Sequence, residues 1–337
     1  MLTLAVSSGI NDTSVPNRYL VFLRVLCDLC ASVLRFKSLK IFYTDHFVLP
    51  LPPWHRFPMQ KYALLRQRVE EAQLGGEPLS VPPAATDAEL LHAHSKAYLE
   101  RVKTGSLSAE EQRRIGFPWS PQMVERSRRS SGATLAASRA ALADGVAVNL
   151  AGGTHHAFRD RGEGYCVFND AAVAARTLQA GGLIERAAIV DCDVHQGNGT
   201  AVILANDPTV YTFSVHAANN YPFEKEASDL DIELPDGTRD AAYLAAVERG
   251  VCTALSAAQP QLVIFLAGAD PFEGDRLGRL NISKAGLAQR DRLVLELCRS
   301  ANVPVAIAMA GGYARRIDDC VDIHFTTVFT AAETLAR

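Results

Sequence analysis

The sequence predicts an α/β protein, a single three-layer αβα domain around a central, mostly parallel sheet. Short apolar runs rich in Val, Ile and Leu, such as those at 262–266 and 303–309, read as strands buried on both faces. Longer segments of helical period alternate with them, as in a parallel sheet covered on both sides. Several of the runs end in polar residues beside glycine, at the sheet edge where open α/β folds bind ligands. No internal repeat or linker divides the chain, so residues 40–337 read as one catalytic domain and residues 1–39 as an N-terminal extension of uncertain structure.

A chain of 337 residues can bury a large core. Its net charge of -3 leaves no broad basic field, which argues against direct nucleic-acid binding. The seven cysteines are odd in number and widely spaced, which favours a reducing cytoplasm over a disulfide framework. Cys27 and Cys30 make the one CxxC pair, with no second pair to complete a metal site. The apolar stretch at 19–34 is interrupted by Arg24 and Asp28 before it reaches the roughly 20 residues a spanning helix needs. It also lacks the features of a secretory signal, so it reads as an amphipathic helix or an over-long translated start, with no membrane span.

The elements follow in order. Residues 40–44 form the first strand, and a loop rich in proline and aromatics occupies 49–59 before a helix over 62–72. Two short helices span 87–102 and carry His92 and His94, which do not share a helix face and so read as structural. A loop at 115–121 ends with Ser120 as N-cap and Pro121 at the first helical position, opening an alanine-rich helix over 122–142. Arg126, Arg128 and Arg129 on that helix read as a solvated face. Strands follow at 146–150, 188–190 and 210–215, then a polar loop through Asp236 and Gly237, a helix at 241–255, the strand at 262–266, a helix at 284–298 and the strand at 303–309.

Four strand ends carry chemistry. The strand at 188–190 runs into Asp191, Asp193 and His195, and alternation sends the last two to one side. A carboxylate and an imidazole there are two ligands for a divalent metal, or else a polar strand end that caps the next helix through Asn198 and Thr200. The other ends bear Gly152-Gly-Thr-His155-His156, Gly268-Ala-Asp270 and Gly311-Gly312-Tyr313. In a parallel sheet these ends share one edge, so Asp193, His195 and Asp270 would make three ligands with positions open for water and substrate. A neutral histidine can take a proton from water and return it to a leaving amine, and a tyrosine can donate to a forming oxyanion. The set points to a metal-dependent amide hydrolase, with zinc, and also iron(II) or cobalt, acceptable to these ligands.

His155-His156, Asp191-x-Asp193-x-His195, Gly268-Ala-Asp270 with Glu273-Gly-Asp-Arg-Leu-Gly278, and Gly311-Gly-Tyr313 resemble the motifs of the histone deacetylase family within the arginase/deacetylase superfamily. The likeness runs over about residues 41–333 and takes in Arg56-Phe-Pro-Met59 and Gly164-Tyr-Cys-x-Phe-Asn-Asp170, most similar to the class IV and related bacterial branch. It implies zinc on Asp193, His195 and Asp270, His156 as general base and then acid, His155 as an electrostatic partner oriented by Asp191, and Tyr313 as oxyanion donor. It further implies that the Gly164 carbonyl accepts the substrate amide N–H and that Tyr165 and Tyr221 wall an acyl-lysine tunnel. A structural potassium ion would sit on carbonyls of Asp191, Asp193, His195 and Val215 with help from Ser214. Where class I members place an aspartate behind the second histidine, this chain has Asn198, as class II members do. A polyamine-deacetylating branch places a glutamate where this chain has Leu277, so leucine points to neutral acyl-lysine in a protein or peptide, ahead of a small acylated amine. An acyl-lysine-binding pseudoenzyme should have lost a ligand or the tyrosine, and an arginase-type ureohydrolase needs acid-rich motifs for two metals; neither pattern is present.

Overall fold

Seven strands pair in the order β1-β2-β7-β6-β3-β4-β5, every neighbouring pair parallel. They are β1 (Lys40–Phe42), β2 (Val146–Asn149), β3 (Ala187–Asp191), β4 (Val210–Ala217), β5 (Leu230–Leu234), β6 (Leu262–Leu266) and β7 (Val305–Ala308). The computed structural model describes residues 38–52 and 54–336, which belong to one compact unit. The apolar stretch at 19–34 and the Cys27/Cys30 pair lie outside the described residues.

Ten helices are found among the described residues: α1 (Gln60–Glu71), α2 (Asp87–Leu90), α3 (Lys96–Thr104), α4 (Ala109–Ile115), α5 (Pro121–Asp144), α6 (Asp170–Ala180), α7 (Asn198–Leu204), α8 (Asp240–Ala258), α9 (Lys284–Ser300) and α10 (Ile317–Ala336). Alternate residues of each central strand feed two cores. Val148, Val190, Phe265 and Ile307 pack against α1, α8, α9 and α10, whereas Ala147, Ile189, Ile264 and Ala306 pack against α5 and α6. Burial on both faces is why these strands are continuously apolar. No described helix is long and apolar enough to cross a membrane.

The expected three-layer α/β arrangement is therefore present, with a sheet wholly rather than mostly parallel. Ser120 caps α5 by accepting from the Met123 N–H, with Pro121 in the first turn, as the sequence predicts. Four elements differ. The stretch expected to be a polar loop contains β5, whose register against β4 puts Ile232 inside while Glu233 stays exposed; an edge strand buries too little to show an apolar run. The helix α4, with a Ser108/Glu111 capping box and Gly116 as left-handed cap, the helix α6, capped by Asn169, and the closing helix α10 were not among the expected elements.

The sheet order matters for the site. β2 and β3 are consecutive in sequence yet stand apart, with β7 and β6 between them. The four strands whose ends carry the polar clusters are thus four adjacent strands, and their carboxyl ends converge.

Candidate active site

The tandem histidines are placed by a turn that only glycine allows. Gly152 and Gly153 follow β2 at φ +84° and +70°, and a Cβ on Gly153 would press on the backbone of Ala310 after β7. Asp170, fully buried at the start of α6, holds the turn by accepting from the N–H groups of Gly153 (2.9 Å) and Thr154 (2.7 Å) and from the Thr134 hydroxyl (2.5 Å). His94 supports the far side: its Nδ1 lies 2.9 Å from the Phe158 carbonyl while its Nε2 accepts from the Asn169 N–H at 2.9 Å. The structural expectation for His94 thus holds; His92 is exposed.

β3 ends at Asp191, so Asp193 and His195 stand on the turn beyond the strand. Alternation along a strand therefore does not bring them together; hydrogen bonds do. Asp191 Oδ1 accepts from the Asp193 N–H (3.1 Å), Asp193 Oδ1 from the His195 N–H (3.0 Å), and Asp270 Oδ1, from the end of β6, from the Val194 N–H (2.9 Å). One donor atom each from Asp193, His195 and Asp270 lies within 4.8 Å of the others, all three residues being buried. His195 Nδ1 is 2.9 Å from Asp193 Oδ1 and 3.4 Å from Asp270 Oδ2, and the latter oxygen has no hydrogen-bond partner.

Two buried carboxylates and an imidazole carry surplus negative charge. Burial opposes charge on His195, but Asp193 and Asp270 outweigh it and raise its pKa to about 10. Burial and then Asp193 push Asp270 up to about 7. A cluster that draws protons this strongly suits a small cation, and the free Asp270 oxygen offers it a ligand.

His155 and His156 are electrically different. Burial works against a charge on His155, yet Asp191, 2.6 Å from its Nδ1, and Asp193 raise its pKa to about 9. For His156, burial and then the neighbouring His155 and His195 push the pKa well below the ordinary value. Its Nδ1 is 2.7 Å from Asn198 Oδ1. Gly197, not Asn198, is the cap position of α7 and makes no side-chain cap, so the Asn198 side chain is spent on the histidine.

Tyr313 enters from the far side, its phenol pKa raised by burial. Gly311 and Gly312 let the β7 turn pass against the two acids: the Gly311 N–H donates to Asp193 Oδ2 at 2.8 Å. Gly164, Tyr165, Tyr221 and Leu277 line the same cavity of about 450 Å³ with the histidines, Asp193, His195, Asp270 and Tyr313. Gly164 and Tyr165, both at positive φ, form a tight turn closed by reciprocal backbone bonds between Glu163 and Cys166. A Cβ on Gly164 would stand 2.7 Å from His156 Cδ2, so glycine is what lets the turn reach the ring. Ser214 and Asp191 are register partners in the β3/β4 pair, and Ser214 Oγ lies 2.8 Å from His216 Nδ1.

A further expectation is overturned. Arg126 is not on a solvated face but buried, its guanidinium 4.9 Å from the Tyr62 ring centre and 5.4 Å from that of Phe57, at the cavity wall. Arg128 and Arg129 turn instead to the carbonyls of Ala85 and Pro82. Helical spacing alone does not reveal this, because the aromatic partners come from the 49–59 loop and α1.

Three further groups went unassigned from sequence. Asp275 accepts from the N–H groups of Leu277 (2.7 Å), Gly278 (3.0 Å) and Tyr313 (2.6 Å), tying the cavity rim to the tyrosine. Lys61 is buried under the glycine turn, its Nζ 3.3 Å from the Gly312 carbonyl. Glu163 accepts from Asn198 Nδ2 at 3.2 Å and from the Tyr221 hydroxyl. An aspartate just before Arg-Leu-Gly signals a turn, which would have exposed Asp275; nothing local signals the other two.

A family model described as the histone deacetylase domain matches residues 55–328. An uncharacterised protein of Picosynechococcus sp. (strain ATCC 27264 / PCC 7002 / PR-6) is 44% identical over 285 residues, 84% of this chain and 95% of that protein. Histone deacetylase 2 of Arabidopsis thaliana is 31% identical over 282 residues, 80% of this chain and 73% of its own length. A solved histone deacetylase homologue from Aquifex aeolicus shares the fold with a TM-score of 0.77 at 22% identity, over 88% of this chain and 84% of that one.

Proposed function

This chain belongs to the histone deacetylase family, whose chemistry is amide hydrolysis, and from that premise we propose a zinc-dependent deacylase acting on acyl-lysine in a protein or peptide. The observation that carries the reading is the buried Asp193/His195/Asp270 group facing His156 and Tyr313 across one cavity. A zinc ion held by those three residues would acidify a water and polarise the amide carbonyl, and iron(II) fits the same donor set.

The remaining work falls to the protein. His156, kept neutral by its surroundings, takes the proton from water and passes it to the departing amine. The Tyr313 hydroxyl donates to the oxygen that gains charge as the carbonyl becomes tetrahedral. His155, paired with Asp191, stays charged beside them. The Gly164 carbonyl orients the substrate N–H, and the rings of Tyr165 and Tyr221 flank the acyl-lysine stem. A potassium ion on Asp191, Asp193, His195, Ser214 and Val215 would brace the loop from below; the Asp191/Ser214 register supports that placement.

Leu277 offers no anion to a cationic substrate, and Arg113, Arg114 and Arg279 also line the cavity, so acyl-lysine is favoured over an acetylpolyamine or other small acylated amine. All five described cysteines are free thiols, in keeping with a cytoplasmic setting. The test is metal analysis of the purified protein together with turnover of acetyl-lysine, fatty-acyl-lysine and acetylpolyamine substrates by wild type and Tyr313→Phe. Turnover of acyl-lysine by the zinc form, cut roughly 10²–10³-fold by Tyr313→Phe, is expected. Absence of any amide hydrolysis by zinc-loaded protein would overturn the reading, and equal rates in the two proteins would remove Tyr313 from it.

A further inference from the structure

We infer that Glu163 is a positioning residue: by fixing which end of the Asn198 amide faces His156, it sets the imidazole tautomer that leaves the base nitrogen free. The inference rests on the reading of His156 as general base and adds a residue to it.

An asparagine behind a histidine is ambiguous in a way an aspartate is not. Its amide can present either the oxygen or the nitrogen to the ring, and the ring answers with the opposite tautomer. If Oδ1 faces Nδ1, the proton sits on Nδ1 and Nε2 keeps its lone pair. If Nδ2 faces Nδ1, the proton moves to Nε2 and the base is lost. Here the other end of the amide meets a carboxylate. Asn198 Nδ2 is 3.2 Å from Glu163 Oε1, while Asn198 Oδ1 is 2.7 Å from His156 Nδ1. Reversing the amide would turn its oxygen toward the Glu163 anion and forfeit a charge-assisted bond, so one orientation is selected.

The carboxylate is itself held. The Glu163 side chain is 15% exposed and carries Arg161 Nε at 3.7 Å on its second oxygen. Its first oxygen also accepts from the Tyr221 hydroxyl, joining the cavity wall to the same relay. Its backbone closes the tight turn that presents Gly164 and Tyr165: the Glu163 N–H donates to the Cys166 carbonyl at 2.9 Å and the Cys166 N–H returns the bond at 2.8 Å. A single turn therefore places both the carbonyl aimed at the substrate and the anion that orients the base. The negative charge one bond away from Asn198 also supplies, at second hand, the support for imidazolium that an amide by itself lacks.

The test crosses Glu163→Ala with Asn198→Asp, because a carboxylate at 198 accepts from His156 Nδ1 unaided and leaves Glu163 no amide to orient. In the wild-type background, Glu163→Ala should lower kcat about tenfold, a part of the roughly 10²–10⁴ a positioned base contributes, and Glu163→Gln, which can still accept from Nδ2, should restore most of it. In the Asn198→Asp background Glu163→Ala removes one of two facing carboxylates and leaves only the Tyr221 bond to lose, so its cost in kcat should be several-fold smaller or absent. An equal loss in both backgrounds would mean Glu163 is merely structural and would overturn the inference. Imidazole ¹⁵N shifts of histidine-labelled protein, assigned with His156→Ala, read the tautomer without any turnover: Nδ1–H in wild type, a mixture in Glu163→Ala. An unchanged tautomer in Glu163→Ala overturns the inference even if the protein proves not to be a deacylase, whereas failure of turnover alone strikes only the functional reading.

Discussion

The Gly311 N–H and Asp193 Oδ2 lie 2.8 Å apart although 118 residues separate them in sequence. That bond clamps the turn after β7 onto the turn after β3, and it is short because Gly311 has no side chain. A Cβ there would stand 2.5 Å from Asp193 Oδ2 and closer still to Asp270 Oδ2.

Gly311→Ala should therefore spread the two acids and weaken zinc binding by more than tenfold, about 1.4 kcal/mol or more, while the sheet stays folded. Calorimetric zinc titration checks this alongside far-UV circular dichroism. Zinc affinity within twofold of wild type would show that the turn relaxes without disturbing the acids.

Metal loading should stabilise the fold, because the ion offsets charge that burial leaves uncompensated on Asp193 and Asp270. At free zinc 100-fold above the dissociation constant the gain is about 2.7 kcal/mol, and chelation should remove it. A melting temperature indifferent to zinc and chelator would count against a site at Asp193, His195 and Asp270.

Asp275→Ala should uncouple Tyr313 from the cavity rim. Three backbone N–H groups lose their acceptor, so a stability loss of about 3 kcal/mol is expected, with kcat falling further than the binding of a substrate analogue. Denaturant melts and steady-state kinetics on one preparation separate the two effects; unchanged kcat would show that Tyr313 holds its place through the glycine turn and the bond its carbonyl accepts from Arg276 Nε at 3.1 Å.

Acid should destabilise the protein through His94. Burial depresses its pKa from the ordinary value to about 4, and protonating Nε2 would also end its acceptance from the Asn169 N–H. The unfolded chain then binds the extra proton first, so the contribution is present in full above about pH 6.5 and is lost as pH falls from there toward 4. Its size is about 3 kcal/mol. Denaturant unfolding from pH 7 to 4 should show this slope, and it should be flatter in His94→Gln; identical slopes would assign the acid sensitivity elsewhere.

The fold was legible in residues such as Leu262–Leu266, where a five-residue unbroken apolar run between helical segments reads as a strand covered on both sides. β5 escaped notice for the converse reason, because an edge strand buries one face and its Asp231 and Glu233 look like loop. The cluster of Asp193, His195 and Asp270 and the paired histidines were legible because their residue types recur beside glycine at strand ends. Arg126 misled: its own helix says solvent, and only the rings of Phe57 and Tyr62 arriving from elsewhere say otherwise.

By itself the sequence determined the layers, the strand ends and the kinds of side chain gathered there, since period and burial are local properties of a chain. The tertiary structure alone decided that β7 and β6 stand between β2 and β3, and so which groups meet. It also decided that Glu163 lies behind Asn198, for an amide has two faces and only a neighbour in space can choose between them.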